Sequence, residues 1–346
     1  MPKSDSVAAY LRQIDDSRVY SNFGPLVQRF TDRLAGYFGV DSENVVLLGN
    51  GTLGLQGAVS TASPRDSQWI VPTWTFVATA QAVLSAGRIP YFEDVEVDTW
   101  TLQRPDNQAA VGTIVTSPFG GKMSLQDWAN ESARRPVIID AASCFDSFRN
   151  LSLVNKLNIC VMVSLHATKL VSTGEGGVVI GPKEWIAEIK KWSNFSFFGD
   201  RVARTEGTNA KLSEYQAAVG LASIDEWPRT RERWLKVYKR YIHRLAESGV
   251  TIQPRMDGDY VSSTLVANLN GKVPKMEVVT RLKAANIESR DWWGAGLHRM
   301  PAFDEFVSKR TYTNTDLLAE STIGLPLYVD MTSTEVDSVV STMFNA

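Results

Sequence analysis

The stretch VVLLGNGTLGLQGAVS, residues 45–60, decides the fold class of this 346-residue chain. Four apolar residues lead into a glycine-rich turn, and an apolar helical pattern follows it. A strand, a glycine turn and a helix in that order are typical of α/β sheets that bind ligands at the carboxyl ends of their strands. Backbone N–H groups at a helix start can bind phosphate, so those of Thr52 and Leu53, together with the Thr52 hydroxyl, form a candidate phosphate site. Taken alone, the turn is equally typical of a capped helix without a ligand.

Six further apolar runs alternate with helical patterns along the first two-thirds of the chain. Several runs are almost continuously apolar, as expected for strands that helices cover on both faces. The sequence therefore predicts an α/β fold with a mostly parallel seven-stranded sheet flanked by helices. The candidate strands are Val45–Leu48, Trp69–Val71, Ile89–Phe92, Gly112–Val115, Val137–Ile139, Ile159–Ser164 and Gly177–Ile180. The candidate helices are Leu53–Ser60, Val77–Ala86, Leu125–Ser132, Trp185–Trp192 and Glu214–Ile224.

The order of elements changes in the last third of the chain. We expect a large domain over residues 1–221, with the N-terminal arm, and a smaller α+β domain over residues 222–346. The candidate elements of this second part are a helix at Arg229–Glu247, a strand at Val261–Leu269, a helix at Met276–Ala285 and a final helix near Thr334–Phe344.

Composition argues against several classes of protein. The formal net charge of −2 gives no basic field for nucleic acid or an anionic membrane. Two cysteines, Cys144 and Cys160, are too few for a disulfide framework or a cysteine-rich zinc site, and no metal is expected. The first residues include acids where a signal peptide needs an apolar stretch, and no run reaches the roughly 18 apolar residues of a membrane span. We expect a cytoplasmic enzyme.

The glycine turn also matches the G-x-G-x-x-G pattern of dinucleotide-binding proteins, so a nicotinamide-dependent oxidoreductase is one alternative. That function needs an acid about 20 residues later to hold the ribose hydroxyls. Position 74 is instead a tryptophan, in VPTWTF, and Asp66 precedes the strand. A ribose has no partner there, whereas Trp74 offers a flat face to a heteroaromatic ring.

Two further motifs follow strands at the same predicted edge of the sheet. In PVIIDAAS, Asp140 ends an apolar strand and could either hold a protonated ring nitrogen or cap the next turn. In SLHATKLVSTGEGG, Lys169 follows a strand and, if desolvated, becomes a nucleophile for a carbonyl. A solvated surface lysine is the alternative, and His166 could tune the site or be structural.

Together these pieces specify one ligand. It has a phosphate at Gly51 and Thr52, a ring on Trp74, a ring nitrogen at Asp140 and an aldehyde on Lys169. Pyridoxal 5'-phosphate, held as a Schiff base with an aspartate paired to its pyridinium, fits this description. We therefore predict it as the cofactor.

The chain resembles the fold-type-I aminotransferases and, within them, the DegT/DnrJ/EryC1/StrS family of nucleotide-sugar aminotransferases. The resemblance covers nearly the whole chain and is most specific in the SLHATK…GEGG and GTNAKLSE blocks. The blocks that carry it are NFGPLVQRF (Asn22–Phe30), GNGTLGL, VPTWTFVATAQAV, IIDAAS, SLHATK…GEGG, GTNAKLSEYQAAVGL (Gly207–Leu221), GLHRMPAF and IGLPLY.

The resemblance implies a role for each site residue. Lys169 would bind the cofactor covalently, Asp140 would pair with its ring nitrogen, and Asn209 would reach the phosphate from the second subunit of a homodimer. Many relatives have Gln or His where this chain has Ser143, whose hydroxyl can still bond the phenolic oxygen of the cofactor. The remaining implied cofactor ligands are Gly51, Thr52, Trp74, Ala142 and Ser164.

The resemblance also implies the reaction. An amino acid, expected to be glutamate, would give its amine to a nucleotide-linked keto-deoxysugar for the synthesis of lipopolysaccharide, O-antigen or another polysaccharide. A small non-sugar ketone is an alternative acceptor, and a non-catalytic relative that acts as a regulator is a further alternative. The tryptophans of the C-terminal part could instead be packing residues, and Arg290 a surface cation. The candidate substrate-binding residues are Asn22, Phe23, Gly24, Arg290, Trp292, Trp293 and His298.

Overall fold

The computed structural model describes residues 1–103, 105–197, 199–256 and 258–344. Its main sheet has seven strands, which are β1 (Val45–Leu48), β2 (Gln68–Pro72), β3 (Ile89–Glu93), β4 (Gly112–Thr116), β5 (Val137–Asp140), β6 (Ile159–Ser164) and β7 (Gly177–Ile180). Their order across the sheet is β1-β7-β6-β5-β4-β2-β3. Strand β7 is antiparallel to both of its neighbours, and the remaining pairs are parallel.

Helices cover both faces of this sheet. Alternate residues of β5 enter two different apolar cores, since Val137 and Ile139 pack on one side and Ile138 packs on the other. This explains why the strand sequence is continuously apolar. The helices of the chain are α1 (Ser4–Ser17), α2 (Pro25–Phe38), α3 (Gly51–Ala62), α4 (Val77–Ser85), α5 (Ala129–Ser132), α6 (Lys183–Trp192), α7 (Glu214–Glu247), α8 (Lys275–Ala284), α9 (Thr313–Ser321) and α10 (Ser333–Phe344).

A second, antiparallel sheet lies in the C-terminal part. Its strands are β8 (Thr251–Ile252), β9 (Leu265–Asn268) and β10 (Thr322–Leu325), in the order β10-β9-β8. Helix α10 packs against α7 and α8 on this side of the molecule. The domain boundary proposed between residues 221 and 222 lies inside α7, which connects the two sheets.

The predicted fold class is confirmed, and all seven predicted strands are present within two residues of their expected bounds. The sequence predicted two helices over Glu214–Ile224 and Arg229–Glu247, but the structure joins them into the 34-residue α7 with Pro228 inside it. Pro228 lies on the exposed side of the helix, where water can satisfy the carbonyl group that proline leaves without an N–H donor. No helix within the described residues is long and apolar enough to cross a membrane.

Candidate active site

A cavity of about 380 Å³ lies where β5 and β6 end and α3 begins. This is the edge of the sheet at which the sequence places its ligand, and the volume falls within the usual range for small-molecule sites. The predicted residues that line the cavity are Gly51, Thr52, Asp140, Ala142, Ser143, Ser164, Lys169, Arg290, Trp292 and Trp293.

Asp140 is the last residue of β5, and only 5% of its surface is exposed. Its carboxylate accepts a hydrogen bond from Thr79 Oγ1 at 2.7 Å and one from the Ala142 backbone N–H at 3.2 Å. Burial raises the pKa of Asp140, while these two donors and the charge of Lys169 act against that rise. The hydrogen bond from the Ala142 N–H caps the turn after β5, which is the alternative role that the sequence suggested for Asp140. Asp140 therefore caps this turn and also lines the cavity.

Lys169 follows β6 on the loop that connects it to β7. Its Nζ donates a hydrogen bond to Ser143 Oγ at 2.8 Å, and its backbone N–H bonds the His166 carbonyl. Burial lowers the pKa of Lys169, and Asp140 opposes this effect. A desolvated lysine deprotonates at lower pH than an ordinary one, as the chemistry of a carbonyl nucleophile requires.

The start of α3 forms the end of the cavity where we expect phosphate. Asn50 caps the helix by accepting the Leu53 N–H at 2.8 Å, so Leu53, which the sequence suggested as a phosphate donor, is engaged in the cap. Gly51 and Thr52 stay on the cavity wall. A Cβ on Gly51 would lie 3.0 Å from Met162 Sδ, and one on Gly177 would lie 2.7 Å from the Asn50 backbone. The close approach of β7 to this helix start therefore requires glycine at position 177, whereas a Cβ at position 51 would make the Met162 side chain shift.

The structure corrects the assignment of Trp74 as the aromatic side chain on the cavity wall. Trp74 is 1% exposed and packs edge-on against Trp293 at 5.2 Å between ring centroids, and it does not line the cavity. Phe76 lines the cavity and is 53% exposed. The chain turns between β2 and α4, so a shift of two residues exchanges a core position for a wall position.

Aromatic residues of the C-terminal part complete the cavity wall. The ring of Trp293 stacks on Phe119 with centroids 3.9 Å apart. The Arg290 guanidinium lies 5.4 Å from the ring centroid of Trp292, and the side chain of Arg290 is exposed. The mouth of the cavity therefore combines a cation with flat apolar surfaces.

Three candidate substrate residues near the N-terminus do not line the cavity of this chain. Lys190 Nζ lies over the Phe23 ring at 4.9 Å, and Asn22 has a left-handed backbone with φ of 65°. Gly24 is buried, and a Cβ there would lie 2.8 Å from Cδ of Glu214. The buried Glu214 carboxylate caps α2 by accepting two of its backbone N–H groups. The structure thus shows a packing role for Gly24.

Two more predicted residues also lie away from this cavity. His298 is buried and its Nε2 lies 2.9 Å from Asp316 Oδ1. Asn209 is exposed on the loop before α7, and its Oδ1 accepts a hydrogen bond from Lys211 Nζ at 2.7 Å. The substrate contact expected of His298, and the phosphate contact that the resemblance assigns to Asn209 of a second subunit, remain predictions.

Sequence reasoning missed several residues of the wall and its support. The cavity wall also includes Phe76, Thr75, Thr116 and Glu175. Thr79, which is not part of the wall, donates a hydrogen bond to Asp140. The threonines of VPTWTFVATA offered a signal, because buried hydroxyls next to a predicted buried carboxylate are candidate donors to it.

The donor set fits pyridoxal phosphate. The glycine cradle leaves room at a helix N-terminus for phosphate, a buried carboxylate can hold a pyridinium proton, and a desolvated lysine lies on the same wall.

Comparison with known proteins agrees with this assignment. A model of the DegT/DnrJ/EryC1/StrS aminotransferase family matches residues 3–344. Protein Rv3402c of Mycobacterium tuberculosis (strain ATCC 25618 / H37Rv) is 30% identical over 96% of this chain and 85% of its own length. The dTDP-4-amino-4,6-dideoxy-D-glucose transaminase of Shigella dysenteriae is 25% identical over 99% of this chain and 96% of its own length. A crystal structure from Bacillus cereus ATCC 10987, assigned as a PLP-dependent aminotransferase, superimposes with a TM-score of 0.89 at 26% identity and covers 99% of this chain and 96% of that one.

These matches confirm the predicted fold class, the aminotransferase class of enzyme and the pyridoxal phosphate cofactor. Since the family model spans nearly the whole chain, the protein belongs to the DegT/DnrJ/EryC1/StrS aminotransferase family.

Proposed function

We propose that the protein transfers an amino group from an amino acid, with glutamate as the expected donor, to a nucleotide-linked keto-deoxysugar. The observation that carries the proposal is the desolvated Lys169, whose Nζ bonds Ser143 in a cavity that also holds Asp140. The Shigella dysenteriae relative, named for a dTDP-linked aminodeoxysugar, supports this acceptor class. Synthesis of a surface polysaccharide is the corresponding pathway.

Five residues of the cavity have a proposed task in this reaction. Bound pyridoxal phosphate supplies an electron sink for the charge that develops at the donor α-carbon. Asp140 would hold a proton on the ring nitrogen, since its buried carboxylate can stabilise the adjacent positive charge. Lys169 would attach the cofactor through Nζ and, when released, carry a proton to or from the reacting carbon. The phosphate would be held by Gly51, Thr52 and Ser164.

The residues at the mouth of the cavity are consistent with an acceptor substrate that carries negative charge and a flat ring. Arg290 can bind a diphosphate by charge-assisted hydrogen bonds, and the Trp292 ring beside it can stack on a base. Donor and acceptor would use the same cavity in turn, so initial-rate kinetics should follow a ping-pong pattern.

A panel of nucleotide-linked keto-deoxysugars, each offered with glutamate, tests the proposed activity by the mass change from ketone to amine. Lys169→Ala should abolish the product, whereas the matched variant Lys183→Ala, at a partly exposed position outside the cavity, should keep it. Borohydride reduction and peptide mapping should find the cofactor mass on Lys169. Turnover of small keto acids alone, with no reaction of any sugar, would contradict the sugar assignment.

We further propose a homodimer in which Asn209 of one subunit contacts the phosphate held by the other. The exposure of Asn209, on a loop away from its own cavity, supports this arrangement. Symmetric pairing would then complete two equivalent sites. Inactive Lys169→Ala mixed with a strongly impaired Asn209 variant should regain part of the activity after subunit exchange. No recovery despite demonstrated exchange would contradict the shared site.

A further inference from the structure

Three threonine hydroxyls form a chain of hydrogen bonds that ends on Asp140. Thr116 Oγ1 lies 2.7 Å from Thr75 Oγ1, which lies 2.8 Å from Thr79 Oγ1. Thr79 Oγ1 lies 2.7 Å from Asp140 Oδ2. All four residues are buried, with at most 5% of their surface exposed. The chain joins β4 and the start of α4 to the end of β5.

The direction of these bonds follows from counting protons. Each hydroxyl has one proton to donate. An ionised Asp140 can only accept, so Thr79 donates to it, Thr75 must then donate to Thr79, and Thr116 donates to Thr75. A protonated Asp140 could instead donate to Thr79, which would reverse the direction of every bond in the chain. Only the order in which all three hydroxyls donate toward Asp140 stabilises the carboxylate form.

The Asp140 carboxylate needs hydrogen-bond donors because it is buried, and burial disfavours its charged form. Burial raises the pKa of Asp140, and the Thr79 hydrogen bond is the first of the interactions that oppose it. Aligned hydroxyls polarise one another, so Thr75 and Thr116 strengthen the bond that Thr79 makes. Among titratable groups, Lys169 lowers the pKa of this carboxyl, and the carboxylate in turn raises the pKa of the buried Cys144 thiol.

We propose that Thr79 is a positioning residue that keeps Asp140 ionised and fixes Oδ2, and that Thr75 and Thr116 act through it. The importance of this for catalysis rests on the proposed function, because that function gives Asp140 its task at the cofactor ring. The ionisation of Asp140 itself belongs to the protein without cofactor and can be measured there.

Titration of the Asp140 carboxyl in apoprotein labelled with ¹³C-aspartate, with the signal identified by its loss in Asp140→Asn, tests the proposal. Thr79→Val should raise the apparent pKa of Asp140 by about 1 to 2, because a hydrogen bond to a charged group is lost. Thr79→Ser retains the hydroxyl and should restore the wild-type value. Thr75→Val breaks the chain one bond further away and should give a smaller rise in the same direction.

In the loaded enzyme, Thr79→Val should lower kcat about 10- to 100-fold while KM for the donor changes little, since Thr79 is buried and does not line the cavity. An unchanged Asp140 titration in a folded Thr79→Val protein would overturn the proposal. If that variant does not fold, an unchanged titration in Thr75→Val would overturn it equally. If no keto-sugar reacts but the titration moves as expected, the proposed function fails and the role of Thr79 stands.

Discussion

Lys169 Nζ donates a hydrogen bond to Ser143 Oγ at 2.8 Å, and this contact joins the β6–β7 loop to the turn that follows β5. The turn is the one that Asp140 caps through Ala142. The candidate nucleophile and the carboxylate are thereby held by one short, continuous set of contacts. The serine hydroxyl is an acceptor that stabilises the ammonium form of the lysine.

Ser143→Ala should therefore lower the pKa of Lys169 in the apoprotein. The loss of one acceptor corresponds to a change of about 1 or less. The pH dependence of reductive methylation at Lys169, followed by mass spectrometry, measures it. Lys183, which lies on the surface and pairs with Asp41 and Glu43, is the internal control and should not change. A rise in the pKa of Lys169 would contradict this account of the contact.

Asp140→Asn should inactivate the enzyme but stabilise the apoprotein. An amide cannot hold the positive charge on a ring nitrogen, so we expect kcat to fall by about two orders of magnitude or more. Burial raises the pKa of Asp140 in the folded state above its pKa in the unfolded chain. The wild-type free energy of unfolding therefore declines as the pH rises above the pKa of the unfolded chain. The variant's gain in melting temperature should consequently be larger near neutral pH than near pH 4. An apoprotein destabilised at neutral pH would contradict this prediction.

Phe76→Ala and Trp74→Ala separate a wall residue from a core residue. Phe76 lines the cavity, so its loss should weaken cofactor binding. Because its side chain is half-exposed, the free energy of unfolding should change by about 0.5 kcal/mol or less. Trp74 is buried among aromatic rings, and its truncation should cost about 3–5 kcal/mol of stability. Equilibrium dialysis with pyridoxal phosphate and urea denaturation give the two quantities. If Trp74→Ala weakened cofactor binding with little loss of stability, and Phe76→Ala did the opposite, Trp74 would be the wall residue and this account would be wrong.

Glu93 predicts a pH dependence of stability away from the cavity. Burial raises the pKa of Glu93 from 4.5 to about 7, although its Oε1 accepts the N–H groups of Asp106 and Asn107. The folded state keeps this proton longer than the unfolded chain, so the free energy of unfolding falls as pH rises from about 4.5 to about 7. Glu93→Gln should remove that decline, whereas the exposed control Glu288→Gln should not. Urea denaturation across this pH range provides the test.

The strands were predictable because each is a short apolar run bounded by polar or glycine residues. Strands β6 and β7 match the prediction residue for residue. The antiparallel direction of β7 was not predictable, because a buried strand has the same apolar composition in either direction. The cavity was predictable where a motif fixes the chain path, at Gly51, Asp140 and Lys169.

Other features depended on side chains from separate elements. The choice between Trp74 and Phe76 is set by how the chain turns before α4, which a run of alternating aromatic and threonine residues does not reveal. The threonine chain needs β4, β5 and α4 in place before its oxygens come within hydrogen-bond distance. Helix α2 was missed although Pro25 at its first position is a known start signal.

The antiparallel pairings of β7 also bear on the order in which the protein folds. Strands β6 and β7 are joined by a 12-residue loop and can pair early as a hairpin that carries Lys169, whereas β1 pairs with β7 across more than a hundred residues of chain. Closing so long a loop is entropically costly and slow relative to local pairing. The proposed phosphate ligands Gly51 and Thr52 follow β1, so they meet the lysine only at this late, non-local step. Folding intermediates with the hairpin alone would therefore have Lys169 and Ser164 but lack the glycine turn of the proposed phosphate site.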